Sequence, residues 1–165
     1  MAAPEPEILS QLLPDPAATA AFAAALAPLL RRGDVIALWG DLGAGKSTLA
    51  RALIQHLMRD SEEVPSPTFT LVQTYPAVIG GEAVELWHFD LYRLTQPDQA
   101  YDLAIEEAFQ DGISLIEWPD RLGYLLPGGR LDLHLEPAGA GRLLKASGSA
   151  AWRARLAALK RGAAS

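Results

Sequence analysis

Leu38-Trp39-Gly40-Asp41-Leu42-Gly43-Ala44-Gly45-Lys46-Ser47-Thr48 is the stretch on which the reading of the fold turns. It fits the pattern G-x-x-x-x-G-K-[ST], with Gly40, four intervening residues, then Gly45, Lys46 and Ser47. Glycines let the backbone curl until successive N–H groups face a polyphosphate. Lys46 is placed to reach β- and γ-phosphates, and the Ser47 hydroxyl is a hard oxygen ligand of the kind Mg²⁺ takes. A helix opening at the lysine adds the positive end of its dipole. With average residue usage, the pattern arises by chance in under about 1% of chains this long.

The flanks test it. Val35-Ile36-Ala37-Leu38-Trp39 is a short, continuous apolar run of buried-strand type, and Leu49, Leu53, Ile54, Leu57 and Met58 follow the loop at helical spacing. Strand, glycine-rich loop and helix are the context a phosphate-binding loop requires. The stretch therefore reads as a nucleotide site.

Composition narrows the class. A chain of 165 residues, half of them hydrophobic, is long enough to bury a core and reads as one domain spanning 1–165. Its net charge of −6 argues against a broad nucleic-acid surface, which needs clustered Lys and Arg. RNA would then be met only indirectly, through partners. The absence of cysteine excludes disulfides and thiolate metal sites, in keeping with a cytoplasmic setting. Acids and prolines at Met1–Glu7 replace the cations and apolar core of a signal peptide, and no apolar run is long enough for a membrane span.

Taken in order, residues 1–12 read as a loose leader. Asp15-Pro16 caps a helix over 16–31 that turns Phe22, Leu26, Leu29 and Leu30 inward, and Gly33 ends it. The helix after the phosphate loop is expected to run to about Asp60. The prolines of Ser61–Pro67 make a loop. Thr68–Tyr75 and Ala83–Phe89 form a hairpin turned at Gly80-Gly81. Thr95 and Asp98 resemble a capping pair for a helix over about 97–109. Ile113–Glu117 is a short buried strand, and Pro119–Leu125 is one or two helical turns. A second hairpin joins 130–136 to 142–147, and Trp152, Leu156 and Leu159 mark a C-terminal helix within 149–165. Strands alternating with helices, with hairpins added, make a mixed α/β sheet.

Catalysis needs acids beside the loop. In open α/β sheets ligands lie beyond the carboxyl ends of strands, and two acids stand there. Asp90 follows Leu86-Trp87-His88-Phe89, and Glu117 follows Ile113-Ser114-Leu115-Ile116. Thr68, within Ser66-Pro67-Thr68-Phe69-Thr70, is where a γ-phosphate sensor could sit. His88 reads as a packing or hydrogen-bonding residue, and His56 and His134 have no metal spacing. Arg153, Arg155, Lys160 and Arg161 read as a solvated helix face. The guanine-reading segment [NT]-K-x-D is missing: there is no asparagine, and no lysine has aspartate two residues later. Adenine is the favoured base.

Together these stretches resemble one family, the bacterial tRNA threonylcarbamoyladenosine biosynthesis ATPase TsaE, also called YjeE. The resemblance rests on Gly40–Thr48, Ser66-Pro67-Thr68-Phe69-Thr70-Leu71-Val72, His88-Phe89-Asp90-Leu91-Tyr92-Arg93-Leu94 and Ile116-Glu117-Trp118-Pro119, in that order. It spans roughly residues 13–147. It implies a P-loop NTPase-like fold of three layers, with a mixed, largely parallel sheet and antiparallel hairpins.

The resemblance also implies an ATP- and Mg²⁺-dependent ATPase that acts on a TsaB–TsaD-type complex. That complex transfers threonylcarbamoyl to the adenosine beside the anticodon of tRNAs reading ANN codons. By motif, Gly43, Ala44, Gly45, Lys46, Ser47 and Thr48 hold the phosphates, and Ser47 with Glu117 ligates Mg²⁺. Asp90 is the Walker-B-like acid, Thr68 belongs to a switch, and Arg142 lies near the nucleotide. Many relatives carry threonine at the position of Ser47, which supplies the same hydroxyl; 149–165 matches no motif. Two other readings stand beside this one: a small-molecule kinase on a P-loop scaffold, and a nucleotide-binding interaction module with negligible turnover.

Overall fold

The computed structural model describes residues 5–41, 43–58 and 71–159. Its strands are β1 (Glu7–Leu13), β2 (Val35–Trp39), β3 (Val72–Ile79), β4 (Glu82–Asp90), β5 (Ile113–Glu117), β6 (Leu131–Ala138) and β7 (Gly141–Ser147). They form one sheet in the order β1-β7-β6-β2-β5-β4-β3. The four central strands are parallel: β2 pairs with both β5 and β6, and β4 with β5. The hairpins β3–β4 and β6–β7 add antiparallel strands on either side, and β1 closes one edge against β7.

Alternation along the central strands feeds two cores. Ile36, Leu38, Ile113 and Leu115 pack with α1 (Pro16–Leu26) and α2 (Lys46–Leu57) on one face. Val35, Phe89 and Ile116 pack with Ile105 and Ala108 of α3 (Ile105–Asp111) on the other. Each Val, Leu, Ile or Phe side chain among these, fully buried, contributes about 1.5–3 kcal/mol of transfer free energy. A helical layer on each side of the sheet gives three layers. This is the mixed α/β architecture expected.

Local signals account for the ends of elements. Asp15 caps α1 by accepting from the Ala18 N–H (2.8 Å), with Pro16 at the first helical position. Val35–Trp39 and Ile113–Glu117 form strands at the expected bounds. β4, β6 and β7 keep close to their expected bounds, whereas β3 covers Val72–Ile79 and so runs past Tyr75; residues 68–70 lie outside those described.

Five expectations are corrected. Much of the supposed leader is β1, whose residues Leu9–Leu13 pair with Ala146–Arg142. A register irregularity between Glu7 and Leu9 and the doublets Ile8-Leu9 and Leu12-Leu13 blur its alternation. The helix expected over 97–109 is broken into a 3₁₀ segment (Pro97–Leu103) and α3, because Ala104 adopts φ 58°, ψ 38°. Its cap comes from Gln96 and Gln99, Gln99 accepting from the Gln96 N–H (3.0 Å) rather than Thr95 pairing with Asp98. The terminal helix is interrupted: α4 covers Ala150–Arg155, a turn falls at Leu156, and residues 157–159 are helical again.

Arg155 is likewise no solvated residue. Its guanidinium meets Asp34 Oδ2 at 2.6 Å, donates to the Leu29 carbonyl and lies over the Trp152 ring.

Candidate functional site

The parallel strands β2, β4 and β5 end together, and their carboxyl ends bring the candidate residues to one place. Leu38 is level with Glu117 across β2 and β5, and Asp90 is level with Glu117 across β4 and β5. Beyond β2 the chain enters the loop that leads into α2. Gly40 turns there at φ 147°, where an added Cβ would lie 2.7 Å from the Leu135 carbonyl oxygen. Gly45, at φ 100°, ψ 11°, precedes the first residue of α2. Only glycine enters this region without strain. The Leu49 N–H donates to the Gly45 carbonyl (3.0 Å) and so begins the helical ladder.

Lys46 is buried. Its Nζ donates to the Gly40 carbonyl (2.6 Å) and lies 3.5 Å from the centroid of the Trp118 ring. Burial draws its pKa below the ordinary lysine value, against the carboxylates of Glu117, Asp90, Asp120 and Asp41, which pull it upward. Trp118 holds φ 59°, ψ 52°, a left-handed conformation unusual for an aromatic residue. Its ring also contacts Tyr92, with centroids 4.9 Å apart. The ammonium thus rests on a carbonyl and an aromatic face, both of which a polyphosphate can replace.

Glu117 is the most enclosed carboxylate of the group. Burial alone would raise its pKa, but the His88 contact and the Ser47 hydrogen bond outweigh that and hold the carboxyl below the usual range. The Ser47 hydroxyl donates to Oε1 (2.8 Å), and His88 Nε2 stands 2.7 Å from Oε2. A hydroxyl that spends its proton on the carboxylate presents only lone pairs elsewhere. Asp90 differs. Burial first, and the Glu117 charge second, raise its pKa, while the Tyr92 N–H (3.3 Å) opposes them. Two neighbouring carboxylates are thereby pushed in opposite directions.

The donor set fits Mg²⁺. Ser47 supplies a hard hydroxyl oxygen, Glu117 an ionised carboxylate and Asp90 a second carboxylate, and Mg²⁺ usually takes one or two such groups plus phosphates and water. Among the described residues no three His, Cys, Asp or Glu side chains converge as an all-protein metal cage.

Two clefts meet here. One, of about 300 Å³, is lined by Gly43, Lys46, Ser47, Asp90, Glu117 and Trp118. The second, of about 230 Å³ and largely apolar, lies among Leu13, Thr19, Thr48 and Leu135. Gly45, Thr48 and Arg142 border both. Arg142 donates through Nη2 to the Gly43 carbonyl (2.9 Å), which ties β7 to the loop. Of the residues expected at the site, Gly43 to Thr48, Asp90, Glu117 and Arg142 are brought together; Thr68 lies outside the described residues.

Three features were not foreseen. The expectation for His88 stopped at packing or hydrogen bonding, yet its partner is Glu117. The period of two places His88 on the same strand face as Asp90, and that signal could have found it. The resting place of Lys46 on Trp118 and the apolar cleft behind Thr48 depend on residues far apart in the chain.

Residues 13–143 match the family model described as "Threonylcarbamoyl adenosine biosynthesis protein TsaE". Three proteins named tRNA threonylcarbamoyladenosine biosynthesis protein TsaE are similar to this chain. That of Rickettsia felis is 38% identical over 118 residues, covering 72% of this chain and 67% of its own. That of Haemophilus influenzae is 38% identical over 127 residues, covering 73% and 77%. That of Bacillus subtilis is 36% identical over 126 residues, covering 76% and 75%. The crystal structure of Bacillus subtilis YdiB is similar with a TM-score of 0.72 at 26% identity, over 98% of this chain and 99% of that one. The fold is thus of the P-loop NTPase-like α/β kind.

Proposed function

This chain belongs to the TsaE family, and on that premise we propose that it hydrolyses ATP to drive a TsaB–TsaD-type complex in making threonylcarbamoyladenosine on tRNA. The observation that carries this reading is the convergence of Lys46, Ser47, Asp90 and Glu117 at the ends of three parallel strands. In this reading the chain does not itself transfer the threonylcarbamoyl group. It meets tRNA only through its partners, at the adenosine beside the anticodon of tRNAs reading ANN codons. Its net charge of −6 suits that indirect role.

The nucleotide is ATP. Its phosphates lie along the N–H groups of Gly43 to Thr48, and its base enters the apolar cleft bordered by Thr48 and Arg142. Lys46 leaves the Gly40 carbonyl and the Trp118 ring for the β- and γ-phosphate oxygens. Ser47 and Glu117 would hold Mg²⁺. When bound, the ion supplies positive charge against the negative charge that develops on the phosphate oxygens. Asp90, whose burial raises its pKa above the ordinary aspartate value, orients the attacking water and takes up its proton. Thr68 is assigned to sensing the γ-phosphate. The protein works in the cytoplasm.

The resting position of Lys46 favours weak turnover by the isolated chain, because the ammonium must first exchange two favourable contacts. That feature also gives some support to the reading as an interaction module with negligible turnover. One experiment decides between them. ATP hydrolysis and threonylcarbamoyladenosine formation are measured with and without TsaB–TsaD-type partners, for the wild type and Lys46→Ala. The expected result is slow hydrolysis alone, faster hydrolysis with partners, and loss of both outputs in the variant. Normal modified-nucleoside levels in cells carrying only Lys46→Ala would sink the proposal.

A further inference from the structure

We infer that His88 is a positioning residue for Glu117, holding its carboxylate in the one orientation that can take a divalent cation beside Ser47. The inference rests on the assignment of Ser47 and Glu117 as the metal site.

The geometry is specific. His88 sits in β4, two residues before Asp90, and is 2% exposed. Its Nε2 meets Glu117 Oε2 at 2.7 Å, while Glu117 Oε1 accepts from Ser47. An ionised carboxylate only accepts, so the imidazole donates through Nε2. The other ring nitrogen, Nδ1, is buried and has no hydrogen-bond partner among the described residues. The bond to Glu117 is therefore the ring's polar contact here.

A histidine kept merely to fill space would be replaced more favourably by an apolar side chain, since burying an unpaired ring nitrogen carries a desolvation penalty. What the imidazole adds is control of a carboxylate that would otherwise rotate about three side-chain torsions. Ser47 offers an arriving cation a lone pair while its proton stays on Oε1, which keeps a further lone pair for the same cation. Oε2 stays fixed by His88 throughout. The carboxylate then meets the cation already ordered, without losing rotamer freedom at that moment.

The test uses the full chain and a fluorescent ATP analogue, whose dissociation constant is measured in EDTA and across a Mg²⁺ titration. For His88→Ala, the metal-free constant is expected to stay within about twofold, while the half-saturating Mg²⁺ concentration rises about 10–100-fold. His88→Gln, whose amide N–H reaches nearly as far as Nε2, is expected to recover most of that loss. If His88→Ala fails to fold, His88→Leu, which keeps comparable bulk, takes its place in the comparison. An unchanged Mg²⁺ requirement in the folded Ala or Leu variant overturns the inference. So does an equal loss of metal-free and metal-bound affinity, or a folded Gln variant as impaired as Ala. The metal assignment has its own check. Wild type with no Mg²⁺ response refutes that assignment and this inference together, whereas a Mg²⁺ response lost in Glu117→Ala but intact in His88→Ala refutes only the role of His88.

Discussion

Asp90 and Glu117 stand level with each other on the adjacent parallel strands β4 and β5, two carboxylates at one register position. The sheet imposes this proximity, and the surroundings separate the two acids chemically. Glu117 has His88 and Ser47 to stabilise its charge; Asp90 has burial first, and the Glu117 charge second, opposing its own. One acid is thereby suited to hold a cation and the other to handle a proton.

Asp90→Asn is expected to stabilise the nucleotide-free protein at neutral pH. Asp90 has a raised folded-state pKa, so the stability associated with it is fully present below its unfolded pKa and is lost as pH rises through the folded value. Asparagine removes that loss. Thermal melts at pH 7 should show Tm a few degrees higher, at roughly 2–4 °C per kcal/mol. The gain should shrink in acid, where wild-type Asp90 is already neutral. Partner-stimulated ATP hydrolysis should fall in the same variant. A variant Tm at or below the wild type at pH 7 contradicts the argument.

Glu117→Ala is expected to lose Mg²⁺-dependent hydrolysis and also to destabilise the fold. The lowered pKa of Glu117 means that its stabilising contribution is present above its unfolded pKa and is lost as pH falls through the folded one. Removing it leaves buried His88 Nε2 unpartnered, at about 1–3 kcal/mol. Turnover with partners present and a melt at pH 7 check the two halves separately. Wild-type Mg²⁺-dependent turnover would show the metal assignment to be wrong.

Gly40→Ala and Gly43→Ala should separate a steric requirement from a conformational one. Both glycines have positive φ, at 147° and 81°. At Gly40 a Cβ meets the Leu135 carbonyl oxygen at 2.7 Å, whereas at Gly43 nothing among the described residues lies within 4 Å. Gly43→Ala should cost about 1–2 kcal/mol of local strain. Gly40→Ala should cost more, because backbone must move, and should weaken ATP binding by about tenfold or more for each 1.4 kcal/mol lost. Equal ATP affinities for the two variants, measured by calorimetry, would contradict this ordering.

Much of the site was legible because its signals are local. The loop pattern, the apolar runs before it and before Glu117, and the acid ending each strand all lie within a few residues of one another. Leu38, Asp90 and Glu117 fall level because short buried strands have little choice of register. What escaped depends on partners far away in the chain. β1 is an edge strand whose pairing with β7 spans most of the sequence, so no neighbouring turn announced it. Ala104 breaks a helix without the glycine or proline that normally marks a break. Arg155 looked solvated because Asp34, its partner, is 121 positions earlier.

Arg155→Ala should therefore destabilise more than a surface substitution does. It leaves Asp34, itself part-buried, without its guanidinium, and it removes the bond to the Leu29 carbonyl. The expected loss is about 3 kcal/mol, a fall in Tm of roughly 6–12 °C. Arg153→Ala, at an exposed position of the same helix, serves as the comparison and should change Tm little. Matching melts for the two variants would show that the Asp34 contact carries no net stability.

The pairing of β1 with β7 also has a bearing on biosynthesis. Leu13, at the end of β1, walls the apolar cleft behind Thr48, and its partner in the sheet is Arg142, which touches the phosphate loop. A ribosome makes residues 7–13 long before 141–147. The emerging chain can close the loop–helix unit early, yet the apolar cleft beside it lacks a wall until β7 has been made. Chains that stop short of β7 would then hold nucleotide poorly, and competition for it would begin only once β7 is in place.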